Sequence, residues 1–143
     1  MTHRRTETDQ RRDANMRDLY QRMMDTRAEG RFSSVIAHAQ GVTKQIEQTY
    51  RKNGVLDGKH GEAAFQTVMG KYMSNASLDP EYLDSSSPKE AARYQHMVFD
   101  ADDKGHLREE IAEQAKIIEQ DQQQSRGGGA RAIPERVAAG PER

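Results

Sequence analysis

The segment DADDKGHLREEI comes closest to a known chemistry, because its acids and its glycine stand near the offsets of a calcium-binding loop. Asp100, Asp102 and Gly105 occupy the first, third and sixth positions, where an EF-hand places two acidic ligands and its turn glycine. Lys104 replaces the ligand at the fifth position, and Ile111 stands at the last, where the loop needs a bidentate glutamate. The pattern favours an acidic turn between two helices, with a calcium-responsive module left open.

Histidines near this segment raise the question of a transition-metal site. His96, Asp100 and His106 supply nitrogen and oxygen atoms of the kind that bind zinc. Their spacing matches no specific zinc motif, and histidines on the exposed faces of helices are the ordinary explanation. His38 and His60 belong to no ligand pattern. The sequence therefore predicts no metal site and no cofactor.

The residue types needed for common catalytic machinery are missing from the chain. It contains no cysteine, and therefore no thiol nucleophile, thiolate metal site or disulfide. No Gly-x-Ser-x-Gly segment is present, and the glycine run at 127–129 is not followed by the Lys-Ser or Lys-Thr pair of a phosphate-binding loop. Neighbouring carboxylates such as Glu109 and Glu110 point apart on a helix. These observations predict a protein that is not an enzyme.

Cations are concentrated near the N-terminus, where they suggest contacts with nucleic-acid phosphates. Eight arginines fall within residues 1–31, and releasing counterions from phosphates is how such a cluster would gain affinity. Six acids are interleaved with them, which favours intrahelical ion pairs instead. An accessory protein that binds nucleic acid is the second hypothesis, and its candidate residues are Arg4, Arg5, Arg11 and Arg12.

The acidic charge is concentrated in one third of the chain. Residues 79–124 hold twelve acids against five cations, although the whole chain has a formal charge of only -1. An acidic surface attracts a basic partner and accelerates their encounter, and otherwise serves as a solubility surface. We expect a protein-binding adaptor, regulator or inhibitor whose binding residues are Glu90, Asp100, Asp102, Asp103, Glu109, Glu110 and Glu113.

Hydrophobic residues recur with helical spacing through the middle of the chain. The predicted helices cover about 13–29, 33–50, 62–75, 87–99 and 107–123, and the third has the clearest apolar face. Ser87 and Glu90 predict a capping box at the start of the fourth helix, and Gly105 predicts a left-handed break after it. We therefore expect an all-α, single-domain bundle of four to six helices, with the third and second helices at its centre.

Both ends of the chain are predicted to lie outside this bundle. Residues 1–12 are expected to form a flexible charged arm, 13–124 the helical domain, and 125–143 a disordered tail rich in Gln, Gly and Arg. A third hypothesis is a secreted effector or translocated substrate whose Arg-bearing tail is the recognition signal.

Hydropathy and the N-terminal residues are used to predict the cellular location of the protein. Only 34% of the 143 residues are hydrophobic, and no apolar run is long enough to span a membrane. The charged N-terminal residues do not resemble a signal peptide. The expected location is the cytoplasm, without membrane contact. Pairing of the second helix with another helix, including one from a second copy of the chain, stays open.

Overall fold

The computed structural model describes residues 5–127, and the side chains of residues 5–124. Over this range the chain forms a small all-α domain, as the hydrophobic spacing predicts, and contains no strand. Residues 1–4 and most of the predicted tail, 128–143, lie outside the described residues. The helices are α1 (Glu7–Asp25), α2 (Ser33–Lys52), α3 (Gly61–Asn75), α4 (Ser87–Asp103) and α5 (His106–Gly127).

Helix α3 lies at the centre of the domain, as predicted, and packs against α1, α5 and α4. Its residues Phe65, Met69 and Met73 are fully buried. The ring of Tyr20 from α1 meets Phe65 edge-on, with 6.0 Å between the ring centroids. Helix α2 instead packs mainly on α4, with a smaller contact to α1. The prediction that α2 and α3 form the centre together is therefore wrong for α2. Helix α3 is flanked by α1 and α5, and α4 lies between α3 and α2.

Helix α1 begins at Glu7, so residues 7–12 belong to the domain and are not part of a flexible arm. Thr6 and Asp9 form a capping box: the Asp9 N–H donates to Thr6 Oγ1 at 3.0 Å, and the Thr6 N–H donates to Asp9 Oδ2 at 3.1 Å. These reciprocal bonds satisfy free N–H groups at the helix start. The predicted boundary at residue 12 is wrong because this cap lies outside the apolar stripe from which the helix was predicted.

The start of α4 also differs from its prediction, because Ser87 and Glu90 do not form a capping box. The N-cap is Ser86, without a side-chain capping bond, and Ser87 Oγ accepts from the Asp84 N–H at 2.8 Å. Glu90 accepts from Ser86 Oγ at 3.1 Å. Ser87 and Asp84 therefore accept from N–H groups of the turn before the helix, and not from N–H groups of its first turn.

Helices α3 and α4 are each followed by a residue with a positive φ, a serine after α3 and the predicted glycine after α4. Gly105 has a φ of +78° between α4 and α5, which confirms the left-handed break. Ser77 has a φ of +59° after α3, the value that glycine usually supplies at this place. The Leu78 N–H donates to the Met73 carbonyl at 2.8 Å, and this bond closes a Schellman motif.

Helix α5 continues to Gly127, three residues beyond the predicted end of the helical domain at residue 124. Its QDQQQ segment contains glutamines, which are good helix formers, so the helix persists without an apolar stripe. None of the helices within residues 5–127 combines the length and apolar content needed to cross a membrane.

Candidate protein-binding surfaces

The seven acids predicted to form one binding surface are divided among separate places on the domain. Asp100 and Asp103 line a shallow depression on the outer face of α4, together with His96 and the half-buried Phe99. Asp100 also pairs with Lys104, with 3.1 Å between carboxylate oxygen and Nζ. This depression is formed by one helix alone, so it offers little enclosed surface to a partner.

Two of the predicted acids, Glu110 and Glu113, line a groove of about 340 Å³ between α3 and α5. The hydroxyl of Tyr72 donates to Glu110 Oε1 at 2.5 Å. Burial and this bond raise the pKa of Tyr72, because both disfavour its ionised form. The groove is lined by Val68, Lys71, Tyr72 and Asn75 from α3 and by Glu110, Glu113, Gln114 and Ile117 from α5.

Lys71 is a cation in this groove, but it is directed toward the interior. Its Nζ lies 3.1 Å from Gln114 Oε1 and 3.5 Å from Asp13 Oδ1. Glu113 is exposed and has no partner among the described residues, and Glu109 is equally exposed one turn earlier on α5. The carboxylates of Glu109 and Glu113 therefore present their charge to solvent.

Asp102 is half-buried and contacts other residues of the domain. Its carboxylate accepts a hydrogen bond from the Tyr50 hydroxyl, and the guanidinium of Arg108 lies 5.1 Å from the centre of the Tyr50 ring. Burial, followed by the bond to Asp102, raises the pKa of Tyr50. Asp100 and Asp102 therefore have different partners, Lys104 and Tyr50, and do not converge as calcium ligands would. Within residues 5–127, no three metal-binding side chains come together.

The arginines of the nucleic-acid hypothesis have carboxylate partners within the chain. Arg5 binds both Asp13 and Asp121, at 3.3 Å from Asp121 Oδ2. The exposed Arg11 and Arg12 pair with Glu7 and Asp9 at 3.8 and 3.7 Å. Arg4 lies outside the described residues. Of the candidate arginines that the structure describes, Arg11 and Arg12 are therefore the two with exposed guanidinium groups.

A buried carboxylate that the sequence analysis did not identify connects α1, α3 and α5. Asp13 is only 5% exposed, and its Oδ2 accepts from Arg5 and from Gln114 Nε2, the latter at 3.0 Å. Lys71 approaches its other oxygen. The sequence did contain an indication that Asp13 is buried. Asp13 lies three residues before Met16, on the same face of α1 as the apolar residues Met16, Leu19 and Met23.

A cleft of about 650 Å³ lies beside this carboxylate, between α1, α5 and the start of α3. Its lining includes Asp13, Arg17, His60 and Asp121. Arg17 donates to Thr67 Oγ1 at 3.1 Å, and His60 Nε2 lies 2.7 Å from Glu119 Oε1. Arg5 pairs with both aspartates of this cleft, whereas Arg17 is hydrogen-bonded to the neutral hydroxyl of Thr67.

The loop between α3 and α4 carries Tyr82, the large hydrophobic side chain that is exposed on the described surface, with 76% of its area accessible. Arg22 of α1 holds the loop through Asp79 at 2.8 Å and Glu81 at 3.1 Å. Sequence analysis missed Tyr82 because it belongs to no helical stripe. The segment DPEYLD offered an indication of exposure, because it surrounds Tyr82 with a proline and three acids.

Comparison of the chain with protein-family models, with curated proteins and with solved structures returned no match. The function of the protein is therefore inferred from the surfaces of the domain.

Proposed function

We propose that this protein is a non-catalytic adaptor, regulator or inhibitor that binds a basic protein, and that it does so in the cytoplasm. The observation that supports this most is the α3–α5 groove, where Glu110 and Glu113 border the apolar side chains of Tyr72 and Ile117. Apolar surface supplies affinity, whereas carboxylates select cationic partners and increase the rate of encounter.

The charge balance around the groove supports the same proposal. Lys71 pairs with Asp13 at 3.5 Å, and no ion pair joins it to Glu113 among the described residues. Glu109 extends the acidic stripe because it lies four residues before Glu113 on α5. A partner helix or loop with lysines or arginines beside an apolar residue would complement this arrangement.

Charge reversal on α5 tests the proposal. The variant Glu109→Lys/Glu113→Lys changes exposed side chains that have no partner among the described residues, so its fold should be unaffected. Proteins captured from extract of the native host should be identified, and their direct affinity measured with both proteins purified. We expect the double variant to bind at least about 10-fold more weakly, with the difference decreasing as salt rises.

A matched control is Glu7→Lys/Glu29→Lys, which makes the same change of charge at exposed positions on α1 and beyond its end. This control should retain most of the affinity. Equal affinity of the α5 variant and the wild-type chain for every captured partner would contradict the proposal.

The nucleic-acid hypothesis retains one supporting observation, the exposure of Arg11 and Arg12. It predicts retention on DNA or RNA at low salt that is lost in Arg11→Gln/Arg12→Gln. Absence of retention at low salt would remove this alternative. The hypothesis of a translocated substrate concerns the predicted tail, residues 125–143, of which 128–143 lie outside the described residues. It is tested by whether deletion of residues 125–143 abolishes export.

A further inference from the structure

We propose that Tyr82 is the anchor residue of a second contact surface, and that it inserts into an apolar recess surrounded by lysines or arginines on the partner protein. This surface, the Tyr82 loop, comprises residues 79–86, which lie directly before α4. The inference rests on the proposed function, because it assumes a basic protein partner, but it concerns a different part of the domain.

The exposure of Tyr82 is the first observation. Tyr82 is 76% exposed, although the other large apolar side chains described are buried or half-buried. Tyrosine is enriched among the few residues that dominate binding free energy, since it buries a large area with only two rotatable bonds. Leaving such a ring in water has a cost that insertion into a partner would recover.

The rigidity of the loop is the second observation. On one side of Tyr82, Asp79 Oδ1 accepts the Glu81 N–H at 3.0 Å, and the Tyr82 N–H donates to the Asp79 carbonyl at 2.9 Å. Arg22 of α1 fixes the same turn through Asp79 and Glu81. A preformed turn loses little conformational entropy on binding.

The second turn of the loop is equally ordered by hydrogen bonds. Asp84 Oδ1 accepts the Ser86 N–H at 2.9 Å, and the Asp84 N–H donates to Ser87 Oγ at 2.8 Å. Ser86 Oγ reaches Glu90, one of the acids that the sequence predicts to bind a partner. Tyr82 is therefore presented between two hydrogen-bonded turns.

The charge around the ring identifies the kind of partner. Asp79, Glu81 and Asp84 belong to the loop, and Asp18 of α1 shares Arg22 with it at 2.9 Å. Among the described residues, Arg22 is the one cation paired with any of these four carboxylates, so the local charge stays negative. A recess edged by lysines or arginines complements this surface, and an acidic surface would be repelled.

Peptide selection on the full chain tests the inference before any natural partner is identified. A display library of random peptides enriched in Lys and Arg is panned against the immobilised protein. Enriched peptides are then synthesised, and their affinities are measured for the wild-type chain, Tyr82→Ala, Tyr82→Phe and Glu109→Lys/Glu113→Lys. Thermal unfolding of each variant verifies that the fold is retained.

We expect at least one group of basic peptides to lose about 10-fold or more in affinity with Tyr82→Ala. The same peptides should bind Tyr82→Phe within about 3-fold, because the ring is the anchor. If every peptide is insensitive to Tyr82→Ala but weakened by the α5 double variant, the Tyr82 anchor is refuted and the proposed function stands. If no basic peptide is enriched, or none responds to any variant, both proposals fail.

Discussion

Gly70 of α3 lies directly against the main chain of Met16 in α1, so close that a Cβ atom on Gly70 would stand 2.0 Å from the Met16 carbonyl oxygen. This contact sets the distance between α1 and α3, the two helices with the most extensive mutual contact. A carbonyl in the middle of a helix cannot move without disturbing its neighbours, so the space is reserved for a residue without a side chain.

Gly70→Ala is therefore expected to destabilise the domain by at least about 2 kcal/mol, since the two helices must separate to accept one methyl group. The free energy of unfolding from urea denaturation measures this. Gly41 is the matched control: it lies within α2 with nothing close to the position of a Cβ, so Gly41→Ala should stabilise by about 0.5–1 kcal/mol. Equal effects of the two substitutions would contradict the observed packing.

Ser77 offers a site where glycine should increase stability. A φ of +59° costs a residue with a side chain about 1 kcal/mol, and glycine avoids this cost. Glycine also has more conformational freedom in the unfolded chain, which offsets part of the gain in stability. We expect Ser77→Gly to stabilise the domain by about 0.5 kcal/mol in denaturant unfolding. Ser74→Gly, three residues earlier inside α3, should instead destabilise by about 0.5 kcal/mol.

The buried Asp13 should be among the most sensitive polar residues of the domain. Asp13→Ala leaves the buried Gln114 amide without its acceptor and Arg5 with Asp121 alone, so we expect a loss of about 3 kcal/mol. Asp13→Asn should lose less because its amide oxygen still accepts. Glu29→Ala, at an exposed ion pair, should change stability by less than about 0.5 kcal/mol. Thermal and urea unfolding of all three variants decide whether the network stabilises the fold.

Tyrosine ionisation should limit stability at alkaline pH. Burial is the main cause that raises the pKa of Tyr20, Tyr50, Tyr72 and Tyr94 above the ordinary value. A raised pKa in the folded state means that the stabilisation is fully present below about pH 10, the unfolded value, and is lost as pH rises beyond it. Urea unfolding from neutral to alkaline pH, with tyrosinate absorbance as a second readout, should show this decrease.

Tyr94→Phe provides the control for the alkaline prediction. The Tyr94 hydroxyl contacts Thr43 Oγ1 at 2.6 Å, so its removal should cost about 1 kcal/mol at neutral pH. It should also make the decline above about pH 10 shallower, because one fewer buried phenol has to ionise. An unchanged slope would show that Tyr94 does not contribute to the alkaline loss.

Much of the helical architecture could be predicted from local spacing. The stripe Val35, Ala39, Val42 and Ile46 of α2 is buried within the chain, as an intramolecular core requires. The apolar face of α3 correctly indicated a central helix, and Gly105 correctly marked a break. These features depend on residues within a few turns of one another, and the period of the helix is enough to identify them.

The helix boundaries were harder to predict because neighbouring Ser, Thr and Asp side chains can each accept from more than one backbone N–H group. Asp84, Ser86 and Ser87 all lie before or at the start of α4, and their choice of partners follows from the shape of the preceding turn. Thr6 and Asp9 extend α1 beyond the apolar stripe that predicted it. Differences of this kind amount to about 1 kcal/mol per cap, too little to infer from residue types alone.

The sequence by itself determined that the chain is helical, that its charge is unevenly distributed, and that the apolar faces of α2 and α3 turn toward the core. Only the tertiary structure decided that Asp102 contacts Tyr50, that Glu113 borders a groove, that Asp13 is buried and that Tyr82 is exposed. The reason is physical: helical spacing is a property of neighbouring residues, whereas the packing of α1, α3 and α5 determines which surfaces remain open and which charges find partners within the chain.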